Sequence, residues 1–242
     1  MKGSARAVDP PSHSGRWALL AGMALLVLAF TACAHGHTAQ AKKVSPVVLA
    51  LLALAPADLG GAYAIASDQY VDDDGQPVAQ PTREFERRLT VKAQQANGAA
   101  APPATNLLIT LGQKSIDEAA EFVTAASDED VGPADVQQDL QTEVPDARDV
   151  RTALLQDFDV LGDDSAAFQI SWTQGDGDAA RTWHSYRVYV RSGGYLMLVA
   201  LRAPSAPGGA EPEGLRKQAE TLAKKQADKL QAGSTPLLAP AH

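Results

Sequence analysis

A single cysteine in 242 residues, Cys33, stands directly behind an export leader, and that placement sets the terms on which the chain folds. Lys2, Arg6 and Arg16 precede Trp17 to Phe30 (WALLAGMALLVLAF), an uncharged apolar stretch of the length of a signal-peptide core. Such a leader carries the remainder out of the cytoplasm, where disulfides form, yet a lone thiol closes no internal disulfide. Stability must come from a packed core. Beyond residue 32 about 210 residues remain, enough for one core at the usual ~100 to 200 residues per domain. The 45% share of hydrophobic residues excludes a wholly disordered chain.

Phe30-Thr31-Ala32-Cys33 resembles the lipobox of bacterial lipoproteins, in which a Leu, a small residue and Gly or Ala precede the cysteine that becomes diacylated. Phe30 stands where Leu is favoured. On this reading residues 1–32 are a lipoprotein signal peptide, and Cys33 carries the lipid that holds the protein on the extracytoplasmic face of the cell membrane. Two other readings are open. Ala32-Cys33-Ala34 also fits the A-x-A site of ordinary signal peptidase, which would release a soluble protein. The uncharged run Trp17 to Ala41 is also long enough to stay as a spanning helix. All three place the domain outside the cytoplasmic membrane.

The chain carries 21 Lys and Arg against 29 Asp and Glu, a formal charge of -8. Losing residues 1–32 removes Asp9, Lys2, Arg6 and Arg16 and makes the charge -10. A negative chain without a basic block repels phosphate backbones and anionic lipid, so no nucleic-acid partner is expected and membrane contact runs through the anchor. Residues 33–45 are small and polar and read as a flexible tether. Cys33, His35 and His37 have the spacing of metal ligands, but acylation turns the thiolate into a thioether, so no metal and no cofactor are expected.

Residues 46–232 read as a single α+β domain and 233–242 as a disordered tail. Pro46 to Leu54 (PVVLALLAL) is a short buried helix, too short to span a bilayer. Phe85, Leu89, Val91 and Ala93 alternate with polar neighbours, and Asn106 to Leu111 (NLLITL) is a second strand; Gln94 to Thr105 is the loop between them. Ser115 and Glu118 form a capping box that opens a helix with Ile116, Ala119, Ala120, Val123 and Ala126 at helical spacing. Residues 117–164 hold fifteen acids against Arg148 and Arg151 and read as a solvated helix and loop surface, the other reading being a docking face for a basic partner.

From Asp149 the period is two. Val150, Leu154, Phe158 and Val160 share a parity, Leu161 to Asp164 turns the chain, and Phe168, Ile170 and Trp172 open another strand. Tyr186, Val188 and Val190 line one face of the next, Ser192-Gly193-Gly194 makes a hairpin, and Tyr195 to Leu201 (YLMLVAL) is a central strand. The pattern predicts a mainly antiparallel meander. Leu215, Ala219, Leu222, Ala223 and Leu230 form the stripe of a C-terminal amphipathic helix that closes over one sheet face, with Glu213–Lys217 and Glu220–Lys224 at i, i+4.

Catalytic signatures are sparse. His184 is the one histidine between Pro46 and Gln231; it lies on strand parity with Tyr186 and Val188 and reads as core or edge. No G-x-S-x-G and no S-x-x-K occurs. Gly112-Gln113-Lys114-Ser115 lacks the Gly-Lys pair of a phosphate loop, and Gly175 to Ala180 is followed by a strand pattern where a dinucleotide loop needs a helix. Asp72-Asp73-Asp74-Gly75 has the carboxylates of a calcium loop, but Pro81 stands where the bidentate glutamate belongs, so it reads as a hairpin turn. Trp183, Arg187, Tyr189 and Arg191 share the parity opposite to Tyr186, as alternating aromatic and guanidinium groups on one face. An open stripe of this kind could stack a sugar or hold an anionic head group; under a helix it is packing.

Leu51 to Tyr63 (LLALAPADLGGAY), Leu161 to Phe168 (LGDDSAAF) and the Tyr186 to Leu201 hairpin together resemble actinobacterial cell-envelope lipoproteins with a sensor-like extracellular domain, over residues 47–232. The disulfides of the kinase-linked relatives have no counterpart here. The resemblance implies an α+β ectodomain and a non-catalytic role, and supplies no site residues. The expectation is a membrane-anchored lipoprotein that binds or senses an envelope ligand or protein partner and is not an enzyme. The alternatives are a carrier of a lipid or apolar envelope molecule and an envelope hydrolase with a carboxylate site that sequence does not reveal.

Overall fold

The structure, a computed structural model, describes residues 47–72, 76–92 and 106–238. The leader, Cys33, the tether, residues 73–75 of the Asp72 turn and the Gln94 to Thr105 loop lie outside the described residues. The fold is α+β, as the periodicities predict: one eight-stranded antiparallel sheet with helices on both faces.

Helix α1 (Val47–Leu52) is followed by a 3-10 turn, Pro56–Leu59. The first half of the sheet is β1 (Tyr63–Val71), the two-residue β2 (Pro77–Val78), β3 (Glu84–Val91) and β4 (Asn106–Gln113). The chain then crosses one sheet face in α2 (Ile116–Ala126) and α3 (Gly132–Glu143). It re-enters at the far edge as β5 (Arg148–Leu154), β6 (Asp164–Gln174), β7 (Arg181–Ser192) and β8 (Tyr195–Ser205), and ends in α4 (Leu215–Leu238). The order is β2-β1-β3-β4-β8-β7-β6-β5. Two meanders are thus joined at a β4–β8 seam running from Asn106 opposite Arg202 to Gln113 opposite Tyr195.

Both faces of the β6–β8 half are covered, and the period of two sorts the core accordingly. Tyr186, Val188 and Val190 of β7 and Met197, Val199 and Leu201 of β8 pack with Leu215, Ala219, Leu222, Ala223 and Leu230 of α4. On the opposite face Phe168, Ile170, Trp172 and Tyr189 pack under Val136 and Leu140 of α3. Residues 184–190 are therefore buried without a break. The α2 capping box is formed: Glu118 N donates to Ser115 Oγ at 3.2 Å and Ser115 N to Glu118 Oε2 at 2.9 Å. Gly162, in the turn before β6, has φ 63° and sits so near Arg191 that a Cβ would lie 2.3 Å from its carbonyl oxygen. Only glycine fits there.

Several expectations are corrected. Strand β1 is not evident from periodicity, because a bulge between Ile65 and Ser67 breaks the alternation. The set Val150, Leu154, Phe158 and Val160 is not one face: Val150 and Leu154 pack on the α3 side, Phe158 packs on the α4 side and Val160 is 71% exposed. Strand β5 ends at Leu154, after which the parity carries no meaning. Helix α4 continues through Leu238, into the segment read as tail. Glu220 is engaged by Arg216, four residues before it, at 3.0 Å. Among the described residues no helix is long and apolar enough to cross a membrane.

Candidate functional site

The stripe Trp183, Arg187, Tyr189 and Arg191 lies on one face of β7, as its parity requires, and that face is the one α2 and α3 cover. Arg187 is 4% and Tyr189 7% exposed, which corrects the reading of an open stripe. Trp183 stacks on Trp172 of β6 with ring centroids 6.0 Å apart and planes 11° from parallel. Tyr189 packs against Phe122 of α2 at 5.4 Å and Phe168 of β6 at 6.0 Å. Arg191, at the far end, pairs with Asp163 at 3.4 Å. Arg187 and Tyr189 are thus buried in the middle of the stripe, while Trp183 and Arg191 at its two ends are half-buried.

Helix α3 supplies the charges that make this burial tolerable. Val136 and Leu140, at i, i+4, point into the core; Asp139 and Glu143, one helical step behind, bring two carboxylates over the sheet. Arg187 donates from Nη2 to Glu143 Oε2 at 2.9 Å, and its Nη1 lies 3.8 Å from Asp139. Arg202 of β8, which sequence reasoning did not single out, donates to the same Glu143 oxygen at 2.5 Å and sits 5.6 Å above the Trp172 ring. Glu143 is thus the hub of a two-arginine clamp. Burial pushes the Asp139 carboxyl up to about 6; Arg187 opposes the shift, while Asp135 and Glu143 add to it. Burial lowers the Arg202 pKa against the pull of Glu143.

A second polar group lies on β3. Glu84 and Glu86, alternate residues of one strand, are 4% and 6% exposed and occupy the same sheet face. Lys114 pairs with Glu84 at 2.7 Å; Arg88 pairs with Glu86 at 2.7 Å, and Gln69 donates to the same oxygen at 3.1 Å. Arg87, on the other face, binds Asp68 through both its Nε and Nη2 at 2.7 Å and donates to the carbonyls of Ala53 and Leu54 just beyond the end of α1. The sequence signal for these buried charges is the run EFERRL, where charged residues recur on a strand that ends in apolar positions.

His184 is 8% exposed, and its Nε2 lies 3.1 Å from Ser205 Oγ. A serine and a histidine at that distance invite a nucleophilic reading. The surroundings oppose it: the carbonyl oxygens of Thr182, Ala206 and Gly209 all lie 3.3 Å from Ser205 Oγ. Acceptors crowded around an oxygen disfavour the negative charge a nucleophile develops, where a catalytic site presents N–H donors. The arrangement suits a hydroxyl that closes the β7–β8 end. Nearby, Glu211 accepts from Tyr186 Oη at 2.8 Å and Gln169 Nε2 at 2.6 Å, which fastens the loop before α4 to the sheet. Burial, then the Glu211 hydrogen bond, raises the Tyr186 pKa.

The Asp72 turn is closed by its own chain: Gln76 N donates to Asp72 Oδ1 at 2.8 Å and Asp72 N to Gln76 O at 3.0 Å. Among the described residues no group of three or more His, Cys, Asp or Glu is placed to hold a metal ion. A shallow hollow on the outer side of α2 and the following turn is lined by Ala120, Glu121, Thr124, Ala125, Asp128 and Val131.

No protein-family model matches the chain. No curated protein matches it either. Among solved structures it is similar to LpqN of Mycobacterium tuberculosis, described as involved in cell envelope biogenesis, with 13% identity over 69% of this chain and 76% of that one. The TM-score is 0.21, a level at which the likeness carries no argument.

Proposed function

We propose that the protein is a cell-envelope lipoprotein, held on the extracytoplasmic face of the membrane by acylated Cys33, whose α+β domain binds or senses an envelope ligand or protein partner without catalysing a reaction. The anchor rests on the order of the leader: a basic start, the apolar run Trp17 to Phe30, then the chain's one cysteine.

The non-catalytic reading rests on how the buried ionisable groups are engaged. Glu84, Glu86 and Glu143 each sit against a Lys or Arg at 2.9 Å or less, and Arg87 against Asp68 at 2.7 Å. A carboxylate bonded at that distance to a Lys or Arg is fixed in place with its oxygens occupied, which serves cohesion better than proton transfer. The carrier reading finds less support, because the layer between the sheet and α4 is filled by side chains such as Val188, Val199, Leu215 and Ala223, all at most 1% exposed.

The test is made in the producing bacterium. Cys33→Ser should abolish incorporation of labelled fatty acid and move the protein from the membrane to the medium or to an uncleaved precursor. Label retained by the variant would remove the anchor. Turnover of an ester, phosphate or glycoside substrate by the purified protein, lost in His184→Gln or Glu84→Gln, would replace the binding reading with the hydrolase.

A further inference from the structure

Helix α2 buries Ala119 and Val123 completely, and its outer side is built otherwise. There Ile116, Ala120 and Thr124 follow one another at steps of four and form a single ridge. The ridge runs into the hollow that Ala120, Thr124, Ala125 and Val131 line with Glu121 and Asp128. Ile116, one turn before it, is 41% exposed and Val131, across it, 38%; they are two of the five large apolar side chains left exposed among the described residues. The far wall is fixed by its own turn. Asp128 Oδ1 accepts from Asp130 N at 2.9 Å and from Val131 N at 3.1 Å, and Gly132 lies so close to α2 that a Cβ would sit 2.1 Å from the Ala126 carbonyl oxygen. Around this apolar floor every charge has one sign: Ser115 to Ala147 holds ten acids and no Lys, Arg or His. Asp117, Glu121 and Asp128 stand in no ion pair among the described residues.

We propose that this hollow docks a basic amphipathic helix of a partner protein, an apolar side chain of that helix filling it while flanking Lys or Arg side chains meet Asp117, Glu121 and Asp128. The proposal names the kind of partner for the binding role given above, on which it rests, and is independent of the anchor. Charge complementarity selects the occupant. A bilayer with anionic lipids and a nucleic acid both present phosphates, which the ten acids repel. A second copy, at -10 without its leader, meets the hollow with like charge. Among the described residues its one lysine-bearing helix is α4, whose apolar stripe is buried on its own sheet. What remains is a segment that presents apolar and cationic groups side by side, as a helix does with positions three and four apart. Because the wall of the hollow is already formed, little ordering opposes the docking.

The probe is a labelled peptide of about 18 residues, Leu and Lys in amphipathic helical order. Fluorescence anisotropy follows its titration with the natively purified protein in phosphatidylcholine nanodiscs, empty discs serving as the blank. Binding is expected with a micromolar Kd that weakens as salt rises. Glu121→Lys, at an exposed position of α2, should weaken it at least ~tenfold. Ala120→Gln, which fills the hollow without changing the charge, should weaken it at least ~fivefold. Asp228→Lys makes the same charge change at an exposed position of α4, across the sheet, and should stay within ~twofold of wild type. Unchanged circular dichroism spectra show that the variants are folded. Wild-type protein that leaves the peptide free at ~100 μM overturns the proposal. So does equal weakening by Asp228→Lys and Glu121→Lys, since the peptide then reads net charge alone, and so does full binding by Ala120→Gln or equal binding of a Leu and Glu peptide of the same pattern. A failed titration leaves the anchor on Cys33 standing, and the fate of Cys33→Ser bears on the anchor alone.

Discussion

Replacing Glu143 by glutamine tests whether helix α3 is held by charge. The carboxylate accepts from Arg187 at 2.9 Å and Arg202 at 2.5 Å, and the three side chains are 13%, 5% and 15% exposed. An exposed pair contributes about 0 to 1 kcal/mol, whereas removing one partner of a buried pair costs about 3 to 5 kcal/mol, because the remaining charge stays out of water uncompensated. Two guanidiniums would be left. Glutamine keeps the shape and one carbonyl acceptor, which retains part of the hydrogen bonding, so the expected loss is about 2 to 3 kcal/mol. For a domain of this size that lowers Tm by roughly 4 to 12 °C. Urea unfolding followed by tryptophan fluorescence measures it, with Trp172, under the Arg202 guanidinium, as a native reporter. The triple replacement Glu143→Leu, Arg187→Met and Arg202→Met should recover most of the loss, because an apolar cluster escapes the desolvation that the ion pairs must overcome. A loss below ~1 kcal/mol for Glu143→Gln would place the clamp among solvated surface pairs and refute the argument.

Asp139 should give stability a pH dependence of unusual sign. Its folded pKa of about 6 exceeds the ordinary 3.8, so the folded state holds the proton more tightly, and stability should fall as pH rises from about 4 to about 6. The side chain is 38% exposed, so screening reduces a ceiling of roughly 3 kcal/mol to about 1 kcal/mol. Asp139→Asn should flatten that part of a Tm-against-pH curve, and an unchanged curve would assign the effect elsewhere. Leu222→Asp should destabilise by at least ~2 kcal/mol, since Leu222 is 5% exposed in the sheet–α4 layer; an unaltered urea midpoint would show α4 to be an appendage. Gly162→Ala should cost more than ~1 kcal/mol, because φ is 63° and the Cβ would strike the Arg191 carbonyl, and wild-type stability would show that this turn can move.

What could be read locally was decided locally. The Ser115–Glu118 capping box, the Gly193 hairpin turn, the alternation of β6 and β7 and the α4 stripe all depend on residues within a few positions of each other, where backbone geometry alone imposes periods of two and 3.6. The parity of Trp183, Arg187, Tyr189 and Arg191 belongs with these, since it follows from strand geometry. Whether that face met solvent did not. A stripe of arginines and aromatics has the same pattern whether it awaits a ligand or lies beneath a helix, and only the crossing of α3 brought Asp139 and Glu143 down upon it. Arg202 joined the cluster through a partner 59 residues distant in the chain. The β4–β8 seam likewise has no local signal, for it forms only when the second meander returns from the far edge. Strand β1 was hidden by a bulge, which displaces one residue and with it the alternation of everything that follows. Sequence alone determined which residues could share a face; long-range packing decided what each face would meet, because burial is a property of the neighbours that arrive.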